Sequence, residues 1–167
     1  MSSFAPKGYE VKTEAGNFFK LKSGDNKFRI LTDAVVGKVG WKDNKPFRVG
    51  GVDAEISPKD VDTDEKTKRP KINDFMAFMV YSHDEGKVML AEFTQASIKK
   101  GILALAENKD WGHPSGYDIT ITKTGDGLNS KYTITPSPKK ALPKTIQAEV
   151  DAEEQFFDLE KSLGLED

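Results

Sequence analysis

The segment 75–108 constrains the fold of this chain more than any other. Residues 75–81 are apolar or aromatic at every position, so a strand there is apolar on both of its alternating faces. The polar residues 83–86 follow, and 87–94 reads as a second strand. The pattern predicts a β-hairpin with a four-residue loop.

The hydrophobic period changes directly after this hairpin. Ile98, Ile102, Leu105 and Ala106 recur at steps of three and four residues. That spacing predicts an amphipathic helix over residues 95–108.

The remaining strands are short. Residues 27–31 and 34–41 read as one strand broken near Thr32 and Asp33, and Gly37 and Gly40 indicate strong curvature or a bulge. A further strand begins at 46–49, and 117–123 and 131–135 alternate as strands joined by a glycine-containing loop. Residues 50–71 are polar and charged, which predicts a long loop that ends in a basic cluster.

This order of elements predicts a mainly β fold. About five strands, with a helix before the last two, match the OB-fold, a five-stranded Greek-key barrel whose helix lies between strands 3 and 4, if the hairpin counts as the third strand. Other small α+β sheets share this spacing. We expect an N-terminal arm over 1–16, the barrel over 17–140, and a proline-containing linker with a disordered acidic tail over 141–167.

Composition narrows the class of protein. The chain has no cysteine, which leaves neither disulfides nor cysteine-ligated zinc. No apolar run follows the N-terminal methionine and no long uncharged apolar segment occurs, so we expect a soluble intracellular protein with no membrane partner.

Charge is divided unevenly along the chain. Residues 145–167 hold eight acidic side chains and one basic side chain, a net charge of −7, whereas residues 1–144 carry a net charge of +5. A solvated tail that aids solubility is one interpretation. The other is that the basic domain attracts a polyanion that the tail repels.

Several blocks of the sequence resemble the OB-fold single-stranded DNA-binding proteins of tailed bacteriophages. The blocks are FFKLKSGDNKFRIL, AVVGKVGW, KPFR, FMAFMVY, WGHPSGYDITIT and GDGLNSKYTITP, and they span roughly residues 17–140. The resemblance implies a protein of DNA replication, recombination and repair in the cytoplasm of an infected bacterium. Such a protein coats and protects single strands, and its acidic tail recruits a polymerase, helicase or nuclease.

The tail residues that the resemblance assigns to partner binding are Glu149, Asp151, Glu153, Glu154, Phe156, Phe157, Asp158, Glu160, Glu166 and Asp167. Some proteins of this group end in an aromatic residue or carry a cysteine-bearing loop. This chain has neither feature, because it ends in Leu165-Glu166-Asp167 and lacks cysteine.

Single-strand binding without sequence preference requires cations for the phosphates and exposed rings on which bases stack. The second and third strands of an OB-fold and their flanking loops form the binding face. The candidate DNA-binding residues are Lys38, Trp41, Lys45, Phe47, Arg48, Lys68, Arg69, Lys71, Phe75 and Tyr81. We expect Phe75 and Tyr81 to be exposed and Phe78 to be buried.

Some of these aromatic residues could instead pack in the hydrophobic core. Trp41 and Phe47 suit stacking and core packing equally well, and Trp111, which follows the helix in a Gly/Pro turn, suits a structural role.

Catalytic patterns are missing from the sequence. His83 and His113 lie in separate turns outside any metal-ligand spacing, and no nucleophile has a partner base. We therefore expect neither an enzyme nor a bound metal or cofactor.

Two alternatives remain open at the level of sequence. A single-stranded RNA binder needs the same surface, and competition between oligo-dT and oligo-U separates the two ligands. A protein-interaction module that mimics nucleic acid and blocks a host factor instead predicts no binding to bare oligonucleotides.

Overall fold

The computed structural model describes residues 18–154, 159 and 163–165. This part of the chain forms seven antiparallel strands and two α-helices. The elements are β1 Gly24–Ile30, β2 Val35–Lys42, β3 Lys45–Gly50, β4 Ile72–Ser82, β5 Lys87–Phe93, α1 Ala96–Glu107, β6 Asp118–Thr124, β7 Lys131–Pro136 and α2 Lys144–Glu154.

The strands form one open sheet in the order β3-β2-β4-β1-β6-β7, and β5 pairs with β4. Along one edge of β4, its first half pairs with β2 and its last residues pair with β1. The opposite edge of β4 pairs with β5, as the predicted hairpin requires. The predictions of a mainly β fold and of a helix before the last two strands are therefore confirmed, but the sheet has seven strands where five were expected.

One face of β4 lies in the first hydrophobic core. Met76, Phe78 and Val80 are buried there against Ile98 and Ile102 of α1. The other members of this core come from β1, β5, β6 and the segment before β1, and they include Phe19, Phe28, Ile30, Met89, Ala91, Phe93, Tyr117, Ile119 and Ile121.

The other face of β4 lies in a second core. Phe75, Ala77, Met79 and Tyr81 pack there with Val39, Val88 and Leu90, and Val150 of α2 and Leu163 complete the cluster. We call this the outer face of the sheet. Covering it is necessary because an exposed strip with three large side chains, Phe75, Met79 and Tyr81, costs free energy in water.

The prediction of a disordered tail is not met over residues 144–154, which form α2. Leu142, Ile146 and Val150 recur at steps of four residues, so they lie on one side of the chain and pack into the second core. Composition alone favours disorder here, because residues 145–167 are rich in acidic side chains. No helix in the described ranges is long and apolar enough to cross a membrane.

Gly37 and Gly40 do not mark a bulge, because β2 pairs in unbroken register with β3 from Gly37 to Lys42. Instead, these two glycines allow neighbouring residues to pack closely against β2. A Cβ atom on Gly37 would lie 2.2 Å from the carbonyl oxygen of Val49, and one on Gly40 would lie 2.7 Å from Cγ1 of Val61. Val61 belongs to the loop after β3. The absence of a side chain at Gly40 therefore lets this loop pack directly on the sheet.

The predicted long loop is confirmed and is hydrogen-bonded to the end of β2. Its residue Asp62 donates its backbone N–H to the carbonyl of Trp41, at 2.8 Å. Lys71 accepts from the N–H of Trp41 at 3.1 Å and donates to the carbonyl of Asp62 at 2.8 Å. The basic end of the loop is thereby fixed beside Trp41.

The packing of α2 generates a stability prediction. Val150→Ala should lower the free energy of unfolding by about 1–2 kcal/mol, because it removes buried methyl groups from the second core. Glu153→Ala, on the exposed side of α2, should change it by less than about 0.5 kcal/mol. Urea denaturation of both variants measures this difference, and equal stabilities would show that α2 does not support the core.

Candidate functional site

A tight turn presents Trp41 at the end of β2. Asp43 and Asn44 have positive φ angles of 52° and 65°, as the central residues of a two-residue hairpin turn require. The turn pairs Trp41 with Pro46 of β3. Trp41 remains 37 % exposed, an unusual position for so large an apolar ring.

An open cleft of about 510 Å³ lies beside this ring. It contains three of the predicted site residues, Trp41, Arg69 and Lys71, and its other lining residues are Asn44, Asp64, Thr67, Pro70, Ile72 and Asn73. We call it the Trp41 cleft. One aromatic ring and two cations, which are far apart in the sequence, meet here because the loop folds back onto β2.

The predicted cations differ in whether a carboxylate neutralises them. Arg48 forms a two-point ion pair with Glu92, at 2.6 and 2.8 Å, and both side chains are mostly buried. Lys38 pairs with Asp74 at 2.6 Å. A carboxylate therefore neutralises each of these two cations, and they offer little charge to a ligand.

The other predicted cations are not neutralised by an ion pair among the described residues and can contact a ligand. Lys45, Lys68, Arg69 and Lys71 form no ion pair with any residue that the structure describes. Arg69 and Lys71 line the Trp41 cleft, whereas Lys45 and Lys68 are exposed and do not line it.

The prediction that Phe75 and Tyr81 are exposed is wrong. They are only 1 % and 6 % exposed, and Phe78 is also buried. Sequence alternation correctly separated the two faces of β4, but α2 covers the face that was expected to be open.

Phe47 lies apart from the Trp41 ring. It pairs with Gly40, one position from Trp41, so the two rings lie on opposite sides of the hairpin. Its ring would contact a Cβ atom on Gly40, and it is partly buried. Trp111 is structural as expected, because its ring packs edge to face on Tyr117 at 5.2 Å.

Four cleft residues escaped the analysis of the sequence. Asn44, Asp64, Thr67 and Asn73 looked like ordinary turn and strand residues, and only the fold places them together. Asp64 shapes the basic turn, because its Oδ1 accepts from the backbone N–H groups of Lys66 and Thr67 at 2.8 and 2.9 Å. These hydrogen bonds, with the nearby charge of Lys71, hold the pKa of Asp64 below its usual value.

Each of the two histidines contacts one carboxylate. His83 bonds to Asp118 at 3.0 Å and His113 to Asp33 at 2.7 Å. Over the described residues there is no group of three or more potential metal ligands.

The acidic tail residues are only partly described. Glu149, Asp151 and Glu153 lie on α2 with exposed side chains, and Glu154 is the last residue of this helix. Phe156, Phe157, Asp158, Glu160, Glu166 and Asp167 lie outside the described residues.

No protein-family model, curated protein or solved structure matches this chain. The geometry of the Trp41 cleft is therefore the basis for a functional proposal.

The burial of Tyr81 generates a pH prediction. Burial, and then the charge and hydrogen bond of Glu149, raise the pKa of the Tyr81 hydroxyl above its ordinary value of 10.0. Folding therefore favours the neutral phenol, and the resulting stability is complete below pH 10 and is lost as the pH rises through the raised pKa. Stability should fall above pH 10 in the wild type, and less steeply in Tyr81→Phe. Denaturation at several alkaline pH values tests this, and identical slopes would contradict it.

Proposed function

We propose that this protein binds single-stranded DNA through the Trp41 cleft. The observation that carries the proposal is the meeting of an exposed tryptophan with two cations, Arg69 and Lys71, in one open cleft. Neither cation forms an ion pair with a described residue. Stacking platforms and cations are the two components that binding of single strands requires.

The mechanism follows from the placement of these groups. A base stacks on Trp41 while adjacent phosphates lie against Arg69 and Lys71. Lys45, in the strand after the hairpin turn, and Lys68, at the tip of the basic turn, extend the positive potential for neighbouring phosphates. Each neutralised phosphate releases a counterion, so the affinity falls as salt rises.

We also propose that this sheet is a form of the OB-fold barrel with a helix between its third and fourth strands. In that interpretation β1 and β2 are one long first strand, interrupted between residues 30 and 35, and α1 occupies the usual position before the last two strands. The broken strand lies along one edge of β4, where both halves pair with it.

In its biological setting we propose a phage protein of DNA replication, recombination and repair that acts in the cytoplasm of an infected bacterium. It coats and protects single strands, and its acidic C-terminal segment recruits a polymerase, helicase or nuclease. This part rests on the sequence resemblance and on the separation of the basic cleft from the net charge of −7 over residues 145–167.

The same charge separation suggests that the tail competes with DNA for the basic cleft when DNA is absent. A variant in which Asp158, Glu160, Glu166 and Asp167 are changed to amides keeps every residue of Lys144–Glu154 unchanged. This variant should bind oligo-dT more tightly than the wild type at low salt and equally at high salt. If the variant and the wild type bind oligo-dT equally at both salt concentrations, the tail does not compete with DNA.

The central test is fluorescence anisotropy with a labelled oligo-dT of about 30 nucleotides and duplex competitor. Trp41→Ala should weaken binding by roughly 1–3 kcal/mol, because it removes one stacked base. Arg69→Gln should also reduce the slope of log affinity against log salt by about 1.

Lys100→Gln is the matched control for charge, because Lys100 is an exposed cation of α1 outside the cleft. It should change neither the affinity nor the salt slope appreciably. Absence of binding by the wild type at low salt, or equal losses in Arg69→Gln and Lys100→Gln, would contradict the proposed site.

A further inference from the structure

We propose that single-stranded DNA makes a second contact, with Lys139 and Lys140, in a cleft near the opposite end of β4 from Trp41. This inference rests on the proposed function, because it extends the path of the same strand. Stacking at Trp41 and neutralisation of phosphates at both clefts then act on one continuous strand. The separation of the clefts sets the length of DNA that one molecule binds.

An open cleft of about 580 Å³ lies where the chain leaves β7 and approaches α2. We call it the Lys140 cleft. Its lining includes three cations, Arg29, Lys139 and Lys140, and no carboxylate of the described part of the chain. Such a cleft carries a positive potential and suits an anion.

Lys139 and Lys140 supply the charge that a ligand can use. Both side chains are exposed, and neither forms an ion pair with a described residue. Gln147 in the cleft wall donates to Asp151 at 2.9 Å, but Asp151 itself does not line the cleft. The two ammonium groups can therefore contact phosphate oxygens.

The backbone that carries the two lysines is held in place by Arg29. This side chain is 3 % exposed, and its Nη2 donates to the carbonyl oxygen of Lys140 at 2.8 Å. Its Nη1 donates to the carbonyl oxygen of Ser115 at 3.1 Å, and its Nε pairs with Asp118 at 2.9 Å. The backbone N–H of Lys140 donates to the carbonyl oxygen of Gly116 at 3.1 Å. Arg29 therefore positions Lys140, while Asp118 neutralises the charge of Arg29.

The length of β4 separates the two clefts. Asn73 lines the Trp41 cleft near the start of β4, whereas Ile30, which lines the Lys140 cleft, pairs with Val80 near its end. Residues 73–80 of an extended strand span roughly 23 Å, at about 3.3 Å per residue. A stacked single strand, at about 3.4 Å per nucleotide, covers this distance with about seven nucleotides. That length is within the range of about 4–16 nucleotides that OB-folds bind.

The helix that covers the outer face of β4 does not offer a further contact for phosphates. Glu149, Asp151 and Glu153 are exposed on α2, and their carboxylates repel phosphate oxygens. We therefore expect the strand to be held at the two clefts and not along α2.

The test compares labelled oligo-dT strands of about 4 and about 16 nucleotides by fluorescence anisotropy with the full-length protein. The short strand, at a stacked length of about 14 Å, reaches the Trp41 cleft alone, and the long strand reaches both clefts. Lys139→Gln combined with Lys140→Gln should weaken binding of the long strand roughly tenfold at low salt. It should also reduce the slope of log affinity against log salt by about 1.4, because two phosphate contacts are lost. Binding of the short strand should be unchanged.

Lys100→Gln combined with Lys109→Gln is the matched control, because both lysines are exposed and line neither cleft. It should leave the binding of both strands unchanged. Trp41→Ala is the control for the first cleft and should weaken the binding of both strands. Equal losses in the two double variants would assign the effect to net charge and overturn the second contact.

Unchanged binding of the long strand by Lys139→Gln with Lys140→Gln, or equal losses for the two strands, would also overturn the second contact. Either result would leave the proposed function standing. Failure of the wild type to bind the long strand at low salt would overturn both.

Discussion

The structure depends on β4 being apolar on both faces. A strand of this kind cannot lie at a surface, so each face needs its own cover. The first face is covered by α1 and the strands of the first core, and the second by α2 with Leu163. The acidic C-terminal segment is therefore part of the folded domain up to residue 154, although its composition is typical of a solvated tail.

This arrangement limits where a ligand can bind. Val150 of α2 and Leu163 pack with Phe75 and Tyr81 in the second core, so these two rings are buried. Among the described residues, the large ring that remains exposed is that of Trp41, at the end of β2. Ion pairing limits the site further, since Glu92 and Asp74 neutralise Arg48 and Lys38. Three of the predicted cations that form no ion pair with a described residue, Lys68, Arg69 and Lys71, lie in the loop, and the fourth, Lys45, lies in β3. The loop is fixed at this end by its backbone bonds with Trp41.

Local pattern in the sequence predicted the elements well, because period and turn chemistry are local properties. The helix over Ala96–Glu107, the hairpin of β4 and β5, and the structural role of Trp111 all followed from it. The exposure of Phe75 and Tyr81 did not, because it depends on a helix that packs from about 70 residues away along the chain.

The same limit applies to the site. The sequence indicated Trp41 as a candidate ring and indicated Arg69 and Lys71 as part of the basic cluster that ends the loop. It could not distinguish these cations from Arg48, which faces Glu92 only in the folded sheet. Asp64, Asn44 and Asn73 carry no local signal for binding. Their common position is produced by the loop that returns to β2, and that return is a tertiary property.

The most direct measurement of the central claim is the intrinsic fluorescence of Trp41 during titration with oligo-dT. In the Trp111→Phe variant, Trp41 is the remaining tryptophan of the two in the chain. Stacking of a base on this ring predicts a saturable quench that added salt reverses and that duplex DNA does not produce. Fluorescence that stays unchanged, while the same variant remains folded, would contradict binding at the Trp41 cleft.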